Sequence, residues 1–595
     1  MRHAFLAIAA AALIGCFDEQ VVHANSTASR STHVPDFGAT VTQTPAPPAT
    51  SGGTLMVTRD GRIAIAADPD RDRVYLVDLS TRTLTDTIRL EPGDEPGRIA
   101  EDSSGRVHVV LRGGASIATI ALDTHTYLRR TVCASPRGIA FEPGADMLYV
   151  ACAGGDVLTL PAAGGTATRR THIDRDLRDV VIDGGHVRIT TFRSAQLLDL
   201  GVDGALSNRT VLARAAVADG QGAMLHFTPA VAWRAVAIPT GGVLVVHQRG
   251  QDEPVSTAPG GYGTGVSRCA SSVVHSTVSI VRADEPVRAA PSIIDAVLPI
   301  DVALSPDGTR YAIAAPANRR AEAGAQVYVV DAALMAREGG CLSAARTANP
   351  DGDVTSVAFD PAGTVLALTR EPAALHALGT SPWSLSLAAE SRADTGHTIF
   401  HANAGLGVAC ASCHAEGADD GRVWSFASAG RLRTQSLRGG ISGTEPFHWR
   451  GDITDFSTLV RRVFVDRMGG PELRAAQVAS LQHWIDRIPL VAHDAPPDVE
   501  MVERGAALFR RDDVGCAGCH SGERRTNNVT VDVGTGAPTQ VPSLVGIVDR
   551  APFMHNGCAP TLRDRFGSCG GSRHGTTQSL TTSQVSDLVA YLETL

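Results

Sequence analysis

The chain has 595 residues, 53 basic and 62 acidic side chains, and a formal net charge of -9. That length exceeds one ordinary hydrophobic core, so two to four domains are expected. The near balance of charge leaves no basic stripe such as nucleic acid would require, which excludes a nucleic-acid partner.

At the N-terminus, Arg2 and His3 precede an apolar run from Ala4 to Ile14. At about 11 residues this run is too short to cross a bilayer as a helix and reads as an export signal. It ends in Leu13-Ile14-Gly15-Cys16, which resembles the lipobox of bacterial lipoproteins. The resemblance implies processing of residues 1–16 and lipidation of Cys16, hence a periplasmic protein anchored to the membrane, by expectation the outer one. Simple secretion with cleavage near Val22-His23-Ala24 is the competing reading. Residues 17–51 are rich in Ser, Thr, Ala and Pro without hydrophobic periodicity and are expected to form a disordered tether.

From 52 to 388 the pattern changes to short β-branched runs separated by Gly, Asp and Pro, recurring at about 40 residues. Gly138-Ile-Ala-Phe141-Glu-Pro143, Asp301-Val-Ala-Leu304-Ser-Pro306-Asp307-Gly308 and Ser356-Val-Ala-Phe359-Asp-Pro361 each read as strand, turn and returning strand. Arg73-Val-Tyr75-Leu-Val77-Asp78 and Gln326-Val-Tyr328-Val-Val330-Asp331 supply a third strand. These segments resemble the YVTN family of β-propeller repeats, and about seven blades are expected. One blade is expected to carry an insertion between Phe227 and Ser292 holding His247, Gly260-Gly261-Tyr262-Gly263 and His275, either a binding site or a surface loop. Such a propeller would serve as a docking platform.

The C-terminal third contains Cys410-Ala-Ser-Cys413-His414 and Cys516-Ala-Gly-Cys519-His520. Cys-x-x-Cys-His is the attachment sequence of c-type haem: two thiols form thioethers and the adjacent His supplies a ring nitrogen to iron. Two covalently bound haems c are therefore expected, where a bare zinc or redox Cys-x-x-Cys would not need the following His. Eleven cysteines are present. With Cys16 and these four assigned, Cys133, Cys152, Cys269, Cys341, Cys558 and Cys569 remain, an even set suited to disulfides. Cys133 with Cys152 and Cys558 with Cys569 are the favoured pairs, although spacing does not fix them.

Gly396 and Phe400 stand before the first motif, Gly505 and Phe509 before the second. Closing helices with Trp484 and Tyr591 follow each. This resembles two mostly α, class I cytochrome c domains, 394–490 and 498–595, where a Gly/aromatic contact crosses the first and last helices. The halves also repeat: Pro446-Phe447-His448-Trp449-Arg450-Gly451 matches Pro552-Phe553-Met554-His555-Asn556-Gly557. That arrangement is similar to the dihaem cytochrome c peroxidase and MauG family. The resemblance implies roles near the haems for Trp449 and His555.

Function then turns on the sixth position of each iron. Met468 in Arg467-Met468-Gly469-Gly470 is the candidate in the first domain, with His448 as the alternative. In the second, Cys569 stands where Met468 would, and His574 is the candidate, with Met554 next. Filled positions imply electron transfer between a redox donor and acceptor. An open position would imply a hydrogen-peroxide-reducing peroxidase or MauG-like oxidase, for which Gln435 and Glu445 are the nearest acid/base side chains and neither is well placed.

Overall fold

Residues 55–386 pair into seven four-stranded antiparallel sheets in a computed structural model of the protein. The model describes residues 34–595 except 202, 220, 264–266, 320–323, 495–497 and 572. Cys16, the expected signal segment and the Pro-rich linker at 495–497 lie outside the described residues.

The sheets span 55–89, 96–131, 136–172, 177–211, 215–281, 301–348 and 354–386. Their inner strands neighbour one another in a ring that closes between the seventh and the first, giving a seven-bladed β-propeller. The repeated phrases fold as strand pairs: Pro136–Glu142 with Met147–Cys152, Asp301–Leu304 with Arg310–Ala314, and Val354–Phe359 with Val365–Arg370. At the Ser305–Thr309 turn, Asp307 Oδ1 accepts from Thr309 N at 3.0 Å, and Gly308 takes a φ of 71° that disfavours other residues.

The expected insertion is a misreading of the fifth blade. Its strands Met224–Ala237 and Val243–Gln251 are long, and register shifts at 229–234 break the period of two that marks a strand. His247 and His275 are buried inside this blade, His247 bonded within it and His275 to the short strand that follows it. His247 reaches Ser279 Oγ at 2.9 Å, and His275 Nδ1 reaches Ser292 Oγ at 3.1 Å. Only the loop at 252–273 leaves the blade.

Register shifts also fall at 97–98 and 178–179 on inner strands. There they aim charged side chains at the propeller axis. Arg98 Nε donates to Asp179 Oδ1 at 2.8 Å, Arg234 Nη1 to the same oxygen at 3.1 Å, and Ser356 Oγ to Asp301. The axis is thus a buried ring of paired charges.

The expected tether is packed over its described part, 34–51. Val41 N donates to Thr395 Oγ1, Gln43 N to Asp394 Oδ2, and Trp484 Nε1 to the Pro47 carbonyl, each at 2.9 Å. Phe37 is buried. A Pro-rich strand makes few hydrogen bonds within itself, and here its backbone groups find partners on distant helices.

Helices α1 (Thr395–His401) and α2 (Ala475–Ile485) cross at Gly396, where an added Cβ would lie 2.2 Å from the Ser480 carbonyl oxygen. Helices α3 (Val499–Arg510) and α4 (Thr582–Leu592) cross at Gly505, 1.9 Å from that of Asp587. Phe400 packs on Trp484 at 4.7 Å between ring centroids, and Phe509 on Tyr591 at 5.2 Å. The first α unit shares a continuous hydrophobic core with the propeller, while the second has its own around Phe509, Phe553 and Tyr591. Among the described residues no helix is long and apolar enough to cross a membrane.

Because Gly505 admits no side chain at its crossing, Gly505→Ala is expected to destabilise the second α unit by about 1–3 kcal/mol. Denaturant unfolding should show a lower midpoint for that transition, and an unchanged midpoint would count against the close crossing.

Candidate functional site

Both Cys-x-x-Cys-His motifs open onto one cavity of about 760 Å³. Its walls include Cys410, Cys413, His414, Cys516, Cys519 and His520, and also Met468, His448, Met554 and His574. Every candidate ligand read from the sequence is therefore brought to the same space. Gln435 lines it too, whereas Glu445 does not. Tyr262, from the propeller loop, completes the wall. Its N–H donates to the Arg467 carbonyl at 3.1 Å, so of the expected insertion site only this loop takes part.

Among the described residues the four motif cysteines are the free ones and the other six are paired: Cys133–Cys152, Cys269–Cys341 and Cys558–Cys569. Both favoured pairs form, and Cys569 is thereby removed from any ligand role. Burial pushes the Cys410 thiol up to about 12 and raises that of Cys516, so both are held neutral.

His414 follows a single helical turn, Cys410–Cys413, and its Nδ1 faces the Ala418 carbonyl at 3.3 Å. His520 Nδ1 faces the Arg525 carbonyl at 3.2 Å. A carbonyl only accepts, so each Nδ1 carries the proton and each Nε2 keeps a lone pair fit to bind a metal. Burial lowers the pKa of both rings, that of His520 to about 4. His574 lies across from His520 with ring centroids 6.2 Å apart. Burial, then the Arg565 cation and His520, lower it to about 3, so it too is neutral. Met468 is 3% exposed in the wall of the first half. His448 is more open and pairs with Asp452 at 3.5 Å. His448 and Met554 occupy the same turn of the two repeats, each with φ of 68°. Among the described residues no three His, Cys, Asp or Glu side chains gather to chelate a bare ion.

The halves meet through Trp449 and His555, 6.2 Å apart between centroids and both on the cavity wall. Trp449 Nε1 donates to the Arg433 carbonyl, and Arg433 N to the His555 carbonyl, each at 2.8 Å.

One functional residue had no sequence signal. Glu416, two positions after His414, takes a φ of 50° and is buried against the propeller axis. Arg178 Nη1 donates to its Oε1 at 2.7 Å, with Arg112 at 3.7 Å and Arg438 at 3.8 Å. Burial alone would raise its pKa, but Arg178 first, then Arg112, Arg137 and Arg438, outweigh it and hold the carboxyl well below the usual range. Gln248 Nε2 adds a bond to the Ser412 carbonyl at 2.8 Å, and Arg193 pairs with Asp419 at 3.1 Å. The propeller thus grips the first motif on both sides of His414.

No family model matches the chain, and no curated protein matches it. Among solved structures, Kuenenia stuttgartiensis hydrazine synthase is similar at 16% identity over 59% of this chain and 99% of that chain, with a TM-score of 0.43. A streptogramin B lyase structure is similar at 11% identity over 54% of this chain and 92% of that chain, with a TM-score of 0.38.

Since the Glu416 carboxylate is depressed, its contribution to stability is present above the ordinary carboxylate range and is lost as pH falls through and below it. Glu416→Gln leaves buried cations underpaired and is expected to cost about 3 kcal/mol at pH 7. The difference from the parent should shrink toward pH 4. Equal unfolding midpoints at pH 7 would contradict the assigned pair.

Proposed function

We propose that this protein is an exported dihaem c-type cytochrome that transfers electrons between a periplasmic donor and acceptor. The observation carrying the reading is the 6.2 Å separation of the His520 and His574 rings. Rings at this spacing leave room for one metal ion, since metal–nitrogen bonds run about 2.0–2.1 Å, so the two histidines could hold it together. The spacing supports His574 as the sixth ligand opposite His520.

The residues present fit the group. Cys410 and Cys413 would hold one haem with His414 behind it, and Cys516 and Cys519 the other with His520. Four unpaired thiols beside three disulfides suit a compartment that oxidises cysteine yet leaves these four for attachment. Met468, buried in the wall, would complete the first site, with His448 as the alternative there and Met554 in the second. When bound, a haem iron with both axial positions filled by protein supplies one-electron transfer.

The chain's own residues prepare that role. Carbonyls behind His414 and His520 fix the tautomer, so neither ring must shed a proton to ligate. The apolar walls around Phe464, Phe447 and Leu481 exclude water, which keeps a charge change inside the cavity from being screened. Trp449 and His555 fill the space between the two sites with aromatic side chains. A lipid at Cys16 would hold the assembly at the membrane. The tandem α units are, in this reading, class I cytochrome c domains of the dihaem peroxidase and MauG kind, put to electron transfer.

Alkaline pyridine spectra of the purified protein are expected to give two haems c per chain, and optical spectra of the native protein to show both low-spin in the oxidised and half-reduced states. His574→Ala should convert one to a high-spin form, and Met468→Ala should lower the potential of the other. A high-spin haem in the parent on half-reduction, with hydrogen peroxide turnover, would instead establish the peroxidase reading.

A further inference from the structure

We propose that the Cys558–Cys569 disulfide is a thiol-exchange site, served by a dithiol oxidoreductase, whose cleavage releases His574 from the cavity. The inference rests on the haem reading above, because its consequence is the opening of one iron.

The disulfide joins two walls of the same cavity. Cys558 directly follows the turn that carries Met554 and His555, both on the wall. Cys569 lies in the segment that contributes Leu562, Arg565, Phe566 and His574. Inside that segment Arg565 Nη2 donates to the His574 carbonyl. Its other nearby anchors are modest. Thr576 N reaches the Val514 carbonyl at 2.9 Å, Arg573 N reaches the Val533 carbonyl at a long 3.3 Å, Arg565 Nη1 reaches Thr577 Oγ1 at 3.4 Å, and the Arg573–Asp532 pair lies at the surface, where such pairs hold weakly. The covalent link is therefore the strongest tie between His574 and the wall opposite it.

Access separates this disulfide from another in the chain. Cys133 and Cys152 are each 2% exposed, sealed inside the third blade. Cys558 is exposed and Cys569 only half-buried. Cys269 and Cys341 are both half-buried, so among the described residues Cys558 is the one exposed disulfide cysteine, and an attacking thiolate needs such access. His574 itself fits a ligand that can leave: the backbone bond its ring makes, to Gly570, lies within its own loop. By contrast, Nδ1 of His520 is fixed by a carbonyl. One histidine is held by the protein, the other by its loop.

The chemistry balances with a dithiol as reductant. One thiolate of the dithiol attacks Cys558 Sγ, the Cys558–Cys569 bond breaks, and Cys569 leaves as a thiolate that takes up a proton. The second thiol of the dithiol then displaces Cys558, which leaves as a thiol. Two electrons and two protons pass to the chain, and the partner departs as a disulfide.

The test uses the full-length haem-loaded protein in two preparations. One is the C558S/C569S variant. The other is the parent treated with dithiothreitol, alkylated with iodoacetamide and reoxidised at iron with ferricyanide, which remains informative where the variant fails to fold. In both, two haems per chain should persist, one should become high-spin, and after reduction carbon monoxide binding should rise from none to about one equivalent per chain. Mass spectrometry should find the alkyl groups on Cys558 and Cys569. Two low-spin haems and no carbon monoxide binding in both preparations would overturn the inference while leaving the haem reading intact. Fewer than two haems in the untreated parent would overturn both.

Discussion

The buried pair between Glu416 and Arg178 is the constraint from which the arrangement of this molecule follows. Glu416 sits two residues beyond His414, and Arg178 rises from a register shift on an inner strand of the fourth blade. A buried ion pair is rarely a large net gain in stability, because both charges lose their water. Its effect is to select one placement, since any slide of the helical unit across the propeller would part the carboxylate from its arginines and leave both buried and unpaired. Every one of the 53 basic side chains is an arginine, whose planar fork holds a carboxylate in a defined direction. Gln248 on Ser412 and Arg193 on Asp419 then repeat the same register a few residues to either side.

That placement makes the two α units unequal. The first has lost its independence: its helices, the packed N-terminal strap and residues of four blades form one core. The second keeps a separate core and touches the rest through polar seams, such as Arg524 on the Gly439 carbonyl at 2.7 Å and Gln540 N on the Trp449 carbonyl at 2.8 Å. A face of the propeller that carries its axial charges is covered by the first unit. The propeller therefore acts as a foundation for the first motif.

The features readable in the sequence were those whose cause is local. The Cys-x-x-Cys-His motifs, the strand pairs around Pro143, Pro306 and Pro361, and the Gly396 and Gly505 crossings each write their chemistry within a few residues. His574 and Met554, the two candidates read for the second half, both reach the cavity wall because each lies a short way along the chain from the motif's own repeat. The disulfides at 133–152 and 558–569 are the short-range pairs. Cys269–Cys341, 72 residues apart, joins elements that only the ring of blades brings together. Glu416 had no signal, since its partners Arg112, Arg178 and Arg438 come from two distant blades and the opposite side of its own unit. The fifth blade was misjudged because shifts of register hide the alternation that marks a strand.

The strap at 34–51 was read as a tether because its composition lacks a core of its own, yet partners such as Asp394 lie more than 350 positions away. This separation imposes an order on assembly. The strap emerges early in synthesis, but the helices that receive it are made only after all seven blades. It must wait, unengaged, while the ring closes, and it can settle only once Trp484 has been delivered to cap the Pro47 carbonyl. The first α unit is thus finished by one of the earliest parts of the chain, which acts as the latch of the whole rather than as its leash.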